Sequence, residues 1–237
     1  MNKTIFKKAR KLHKWLGLIL GIQVFFWIAG GLIMSAIPLE KVHGKHLANK
    51  VINNNIGASE YRYSLDKLIG QIDEQIIEIK FSSVLELPVY IIQTHSNRQL
   101  FNAQTGDVLD AISQTQIRAL AKQHYLGQGK LEKISLLNDI PMEASRAKNS
   151  VWQLIYDDTW STTLYFDPVS AELVSIRSDI WRLFDFVWML HIMDYDERED
   201  FNNPLLIAFS ASALLFTLSG MLMLFQTFRL KKLGIAA

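Results

Sequence analysis

Two apolar stretches without a single charged residue constrain this chain more than anything else in it. The first runs from Trp15 to Ile37, WLGLILGIQVFFWIAGGLIMSAI, and the second from Pro204 to Phe228, PLLIAFSASALLFTLSGMLMLFQTF. A helix of about 20 mostly apolar residues crosses roughly 30 Å of hydrocarbon, and both stretches are long enough to do so. The sequence therefore predicts two transmembrane helices, 15–37 and 204–228, with residues 38–203 held between them.

The flanks set the expected orientation. Lys3, Lys7, Lys8, Arg10, Lys11 and Lys14 precede the first stretch, and Arg229, Lys231 and Lys232 follow the second. Basic residues collect on the cytoplasmic side of a bilayer. The N-terminal segment 1–14 and the tail 229–237 are thus expected in the cytoplasm. The central region is expected outside it, in the periplasm if the membrane is a bacterial inner membrane. The first stretch is too long for the apolar part of a signal peptide and reads as an uncleaved anchor.

Composition fits a mixed protein, with 49% hydrophobic residues beside 20% charged ones. The absence of cysteine excludes disulfides, thiolate metal sites, iron–sulfur clusters and a c-type haem attachment. The net charge of +2 is small and its basic part lies at the membrane ends, so the expected partner is lipid headgroups and not nucleic acid. No Gly-rich phosphate loop, HExxH or GxSxG occurs.

Between the stretches, residues 58–178 read as an α+β domain. Ser64–Glu74 places Leu65, Leu68, Ile69 and Ile72 at helical spacing behind a candidate N-cap, Ser64. Ile76–Phe81 and Val89–Thr94 are β-branched or aromatic runs and read as strands, with Pro88 breaking between them. RQLFNAQTGDVLD, Arg98–Asp110, carries turn residues between two strand ends. The same order then returns. Ser113–Tyr125 is helical with Ile117, Leu120 and Ala121 on one face, and strand runs follow at Leu131–Leu137 and within Val151–Ile176. Tyr165–Val174 parallels Leu100–Leu109, both reading apolar, Phe, Asp or Asn, turn, acidic, apolar pair. The second copy adds a polar insert, Pro141–Ser150. One helix and a three-stranded meander hold too little core to stand alone, so copies 58–110 and 113–178 are expected to pack together.

At this point the chain resembles a known family. The units ending in FNAQTGDVLD and FDPVSAELVSI resemble the PepSY domain. KLHKWLGLILGIQVFFWIAGGLIMS resembles the opening helix of PepSY-associated transmembrane proteins, and WMLHIMDYDERED with LSGMLML resembles a later span of that family. The resemblance implies two PepSY-like helix-plus-antiparallel-sheet repeats between two spans. It also implies kinship with larger inner-membrane haem proteins that reduce ferric siderophores during iron uptake. Those have about four spans, so a complete electron path within this chain is in question.

Candidate cofactor residues follow. His13, Gly17 and Gly21 share one helix face. An axial imidazole beside small residues would admit a b-type haem, whereas Gly17 and Gly21 alone form a GxxxG helix-packing motif. His191 is the second candidate ligand, on a stripe with Trp181, Phe184, Trp188 and Tyr195 in the juxtamembrane segment 179–203, with Trp188 shaping the pocket. An aromatic interfacial helix is the competing reading. The predicted topology puts His13 and His191 at opposite ends of about 30 Å of hydrocarbon, so one haem cannot join them within one chain. His43 and His46 are expected on the side of His191 and are candidates for a metal ion. The acidic run Asp194–Asp200 is either a solvated charge cluster or a weak site for a hard cation.

Two functions remain open. One is an inner-membrane, haem-linked redox component passing electrons toward the periplasm, a ferric-siderophore reductase or its subunit. The other is a membrane-anchored PepSY module that binds or regulates another membrane or periplasmic protein without catalysis. Either way the bilayer and a second membrane protein or second copy are the expected partners.

Overall fold

The computed structural model describes residues 3–52, 57–148 and 150–232, with only the backbone described at 3–9, 12, 226–227 and 229–232. Most of the basic side chains that set the expected orientation therefore lie outside the described residues, as does the tail beyond 232. The chain divides into two compact units, Met1–Ile37 with Leu183–Ala237, and Pro38–Arg182.

The first unit contains α1 (Lys3–Ala36), most of α5 (Asp179–Ile192) and α6 (Pro204–Lys232). Within α1 and α6, His13–Ala36 and Pro204–Phe225 are long and apolar enough to cross a bilayer. Their outward side chains are bare, Phe25 at 66% exposure and Leu215 at 68%. Such a surface is tolerated only against lipid or protein. The helices run on through the described parts of the basic flanks, 3–14 and 229–232. Asn203 starts α6, its Oδ1 accepting from the Leu206 N–H while Pro204 takes the first helical position.

The second unit is α+β, with a short helical turn α2 (Leu39–Val42), helices α3 (Leu65–Ile69) and α4 (Gln114–His124), and two antiparallel four-stranded sheets. The strands of the first sheet are β1 (Ile76–Val84), β2 (Leu87–Thr94), β3 (Arg98–Asn102) and β4 (Val108–Leu109). Those of the second are β5 (Lys130–Leu137), β6 (Val151–Asp157), β7 (Thr163–Phe166) and β8 (Leu173–Arg177). Each sheet runs in sequence order.

The expected meanders gain a fourth strand each, because the residues after each turn pair back, Phe101 with Val108 and Phe166 with Leu173. The two turns match bond for bond. Asn102 Oδ1 accepts from the N–H groups of Gln104 and Thr105, and Asp167 Oδ1 from those of Val169 and Ser170. Gly106 and Ala171 hold the same left-handed backbone, φ +82° and +59°. The parallel read between the two segments thus corresponds to one repeated turn geometry.

Two local expectations need correction. The helix expected over Ser64–Glu74 closes at Ile69. Pro88 does not separate the first two strands. It sits inside β2 opposite Ser83, and the reversal is made by Leu85 and Glu86, both at positive φ (+49° and +72°). Two-residue hairpin turns need this conformation, but they normally use Asn or Gly. Leu-Glu carries no such signal.

Strand β2 is buried on both faces. Val89 and Ile91 join a large core with Leu100, Leu154, Leu164, Phe166, Ile176 and the Ile117, Leu120 and Ala121 face of α4. Tyr90 and Ile92 join a smaller core under α3 with Leu68 and Phe101. Strand alternation separates the two sets. α4 is secured by a capping box between Ser113 and Gln116.

The polar insert also has a place. Glu143 takes Arg182 in a two-pronged pair, 2.8 and 3.2 Å, and accepts from the Tyr165 hydroxyl at 3.0 Å. Its backbone carbonyl accepts from Ser175 and Arg177. The insert is thereby fastened across β8 and the first turn of α5.

The chain entering this unit is pinned by Leu47–Asn49 against the end of α4, through Leu126 N–H to Leu47 O and Asn49 N–H to His124 O. His124 is buried, and its Nδ1 donates to Asn49 O at 2.6 Å. Burial pushes its pKa down, while the bond to Asn49 opposes that shift. A histidine that stays neutral in the fold contributes stability present above about pH 6.5 and lost as pH falls toward its lower folded pKa. In His124→Gln, the thermal-midpoint difference from wild type should therefore shrink between pH 7 and pH 5, read by circular dichroism. Gly44 sits at φ +69°, and a Cβ there would overlap the Ile176 side chain. Gly44→Ala should destabilise this unit by about 2–4 kcal/mol, as a denaturant midpoint shift would show.

Candidate functional site

The polar side chains of the helical unit gather at two levels along α1. At the lower level His13 meets α6. Its ring stacks on Phe216 with centroids 4.1 Å apart, and its Nδ1 lies 2.9 Å from Ser219 Oγ. Ser219 gives its own proton to the Phe216 carbonyl, so the imidazole Nδ1–H is the donor. Gly220 leaves room for the ring edge, a Cβ there lying 3.4 Å from Cε1. Gly17 is covered by the same Phe216 ring, 2.9 Å from where a Cβ would stand, while Gly21 has nothing within 4 Å. His13, Gly17 and Gly21 share a helix face as expected, but the space at Gly17 that a porphyrin would need is filled by Phe216. The residues at this level fit a helix–helix contact and do not fit a haem cradle.

At the upper level α1 meets α5. Gln23, the strongly polar residue of the first stretch, donates to the Leu190 carbonyl at 3.3 Å. That carbonyl belongs to the last turn of α5, where intrahelical acceptors are unsatisfied. The Trp27 ring packs edge-on to Phe209 at 5.1 Å and lies 6.1 Å from the His191 ring. Gly30 allows α5 to come close, since a Cβ there would stand 3.1 Å from Val187 Cγ1 and 3.9 Å from His191 Nδ1. A Cβ at Gly31 would stand 4.0 Å from Cε1 of the same imidazole. Two buried polar atoms in this contact, Trp27 Nε1 and His191 Nδ1, have no hydrogen-bond partner. Buried polar groups are nearly always paired, and exceptions cluster where a site has a task.

From His13 to Gly30 is 17 residues of continuous α1, about 26 Å at 1.5 Å per residue. The two imidazoles cannot serve one iron within one chain.

Beyond His191 the chain turns sharply at Met193, φ +56°. Trp188 donates its Nε1–H to the Arg198 carbonyl at 3.1 Å and packs on Phe201 at 5.4 Å. It braces the loop. Arg198 pairs with Asp185. Asp194 accepts from the backbone N–H groups of Asp196, Glu199 and Asp200, and the bond from Asp200 above all holds its carboxyl below the usual range. The acidic run is a folded turn organised around Asp194. Among the described residues no group of three or more histidines and acids is placed to hold a metal ion. His43 caps the short turn α2 and is exposed, as is His46. No third ligand joins them among the described residues.

Sequence periodicity pointed to His13 and His191 but not to Trp27, Gly30 or Gly31. These lie in an apolar run where a tryptophan and two small residues carry no signal of their own.

No family model matches the chain, and neither does any curated protein or solved structure.

The glycines separate the two levels experimentally. Gly17→Ile and Gly30→Ile should each lower the unfolding midpoint in mild detergent, by an overpacking cost of about 1–3 kcal/mol. Gly21→Ile should leave it unchanged, as nothing opposes a side chain there.

Proposed function

We propose that the chain is an inner-membrane protein with both termini in the cytoplasm and its two PepSY-like repeats in the periplasm, acting as a haem-linked redox component that passes electrons toward the periplasm. The observation that carries this reading is the imidazole of His191, buried at Nδ1 without a partner and bordered by Gly30 and Gly31. His191 would hold the iron through Nε2, and a second copy or another membrane protein would complete the site. A b-type haem bound there supplies a one-electron couple. The chain's own part is positional: Val187 against Gly30 sets the distance between α5 and α1, Gln23 fixes the end of α5, and Trp27 walls the imidazole from its side. Trp188, bonded to the Arg198 carbonyl, anchors the following loop. The acceptor that the family resemblance suggests is siderophore-bound ferric iron.

A second reading is favoured by His13, whose imidazole is engaged by Ser219 and Phe216 as a structural contact. With one of the two candidate ligands so used, the helices serve as an anchor and the double-sheet unit as a binding or regulatory module for a neighbouring protein.

Absorption spectra decide between them. Protein purified in mild detergent from haem-replete cells should show a Soret band and sharp α and β bands after dithionite. His191→Ala should lose them while remaining folded, and His13→Ala should keep them with a lower unfolding midpoint. A folded, monodisperse protein without haem absorbance, or an unchanged spectrum in His191→Ala, would remove the redox reading and leave the anchored module.

A further inference from the structure

A cleft of about 480 Å³ opens where the second repeat's turn meets the first sheet. It lies wholly within the unit Pro38–Arg182. Its walls bring cations from separate segments, Lys50 after the pinned entry strand, Arg98 on β3, and Arg146 and Lys148 from the polar insert. The acids in the lining are Asp167 and Glu172. Both already face cations. Asp167 lies 3.4 Å from Arg98, and Glu172 lies 3.8 Å from Lys80 and 4.0 Å from Arg98. Lys50, Arg146 and Lys148 form no ion pair among the described residues, so positive charge is left over in the cleft. The lining also includes the buried apolar side chains of Leu120 and Leu173.

The other repeat shows what fills this place when it is not a cleft. There the turn residue Gly106 is covered by the Tyr63 ring, whose backbone N–H donates to Ala103 O at 2.8 Å. Ala171, the matching residue of the second copy, borders the cleft instead. Two copies of one turn thus differ in that an aromatic ring covers the first, while the second, itself buried, borders a cleft lined by basic side chains.

We propose that this cleft binds a small organic anion with two or more acid groups on a compact apolar body. The volume suits a small molecule, the surplus cations match acid groups, and the leucines in the lining match an apolar body. The inference concerns a different site from His191 and stands whether or not haem is bound.

The test is calorimetric titration of the full-length protein in neutral detergent at physiological ionic strength. The probes are phthalate (an aromatic dicarboxylate), benzoate (one acid group) and inorganic phosphate (no apolar body). Phthalate should bind at one site per chain, about tenfold or more tighter than either control. Arg146→Glu with Lys148→Glu should abolish that binding, and the milder Lys148→Gln should weaken it. Lys122→Glu, an exposed charge reversal on α4 that does not line the cleft, should leave it unchanged. Circular dichroism melts check that each variant is folded. The proposal is overturned by absence of saturable phthalate binding, by equal binding of phosphate or benzoate, or by an equal loss in Lys122→Glu.

Discussion

Neither four-stranded sheet can bury its own inner face, and the organisation of the central unit depends on that. The apolar residues of β2 and β3 and those of β6, β7 and β8 share one core with α4. Each fully buried Leu, Ile or Phe stabilises the fold by about 1.5–3 kcal/mol, but only while the opposite sheet keeps water out. The outer faces are covered by different means, α3 with Tyr61 and Tyr63 before it on the first sheet and the polar insert on the second. The cleft lies at the second turn; the two sheets share one strand order and one turn geometry and differ in their covers.

The helical unit follows another logic. Between apolar helices there is little hydrophobic gain from association in lipid, so close contact and polar pairs decide the geometry. Gly17 takes Phe216 and Gly30 takes Val187, where a Cβ would stand 2.9 and 3.1 Å from the facing side chain. Ser219 accepts a hydrogen bond from His13, and Gln23 donates one to the end of α5. Every strong polar group in these contacts has a structural use except Trp27 and His191, whose buried nitrogens are left over. The contrast between the two histidines is a contrast of neighbours. His13 finds a hydroxyl opposite it, whereas His191 finds two glycines and a tilted tryptophan ring.

Several features were legible from residue order because they rest on local chemistry. The buried Ile117–Leu120–Ala121 face and the Thr105-Gly106-Asp107 turn each need only neighbours in sequence. The Leu85–Glu86 reversal was hidden because neither residue favours positive φ, and Pro88 nearby looked like the break. Glu143 was hidden as well. In sequence it is one acid in a polar insert, and its meaning comes from Arg182, 39 residues away.

By itself the sequence determined the two long apolar helices, the α+β character between them and the repeated order of helix and strands, because hydrophobic periodicity and turn chemistry act over a few residues. It also selected the histidines worth examining. Tertiary structure alone decided what each histidine touches, that Phe216 occupies the face beside Gly17, that Trp27 and Gly30 frame His191, and that basic residues from distant segments converge on one cleft. Those outcomes depend on which side chains meet across elements far apart in the chain, and spacing within one segment carries no information about that.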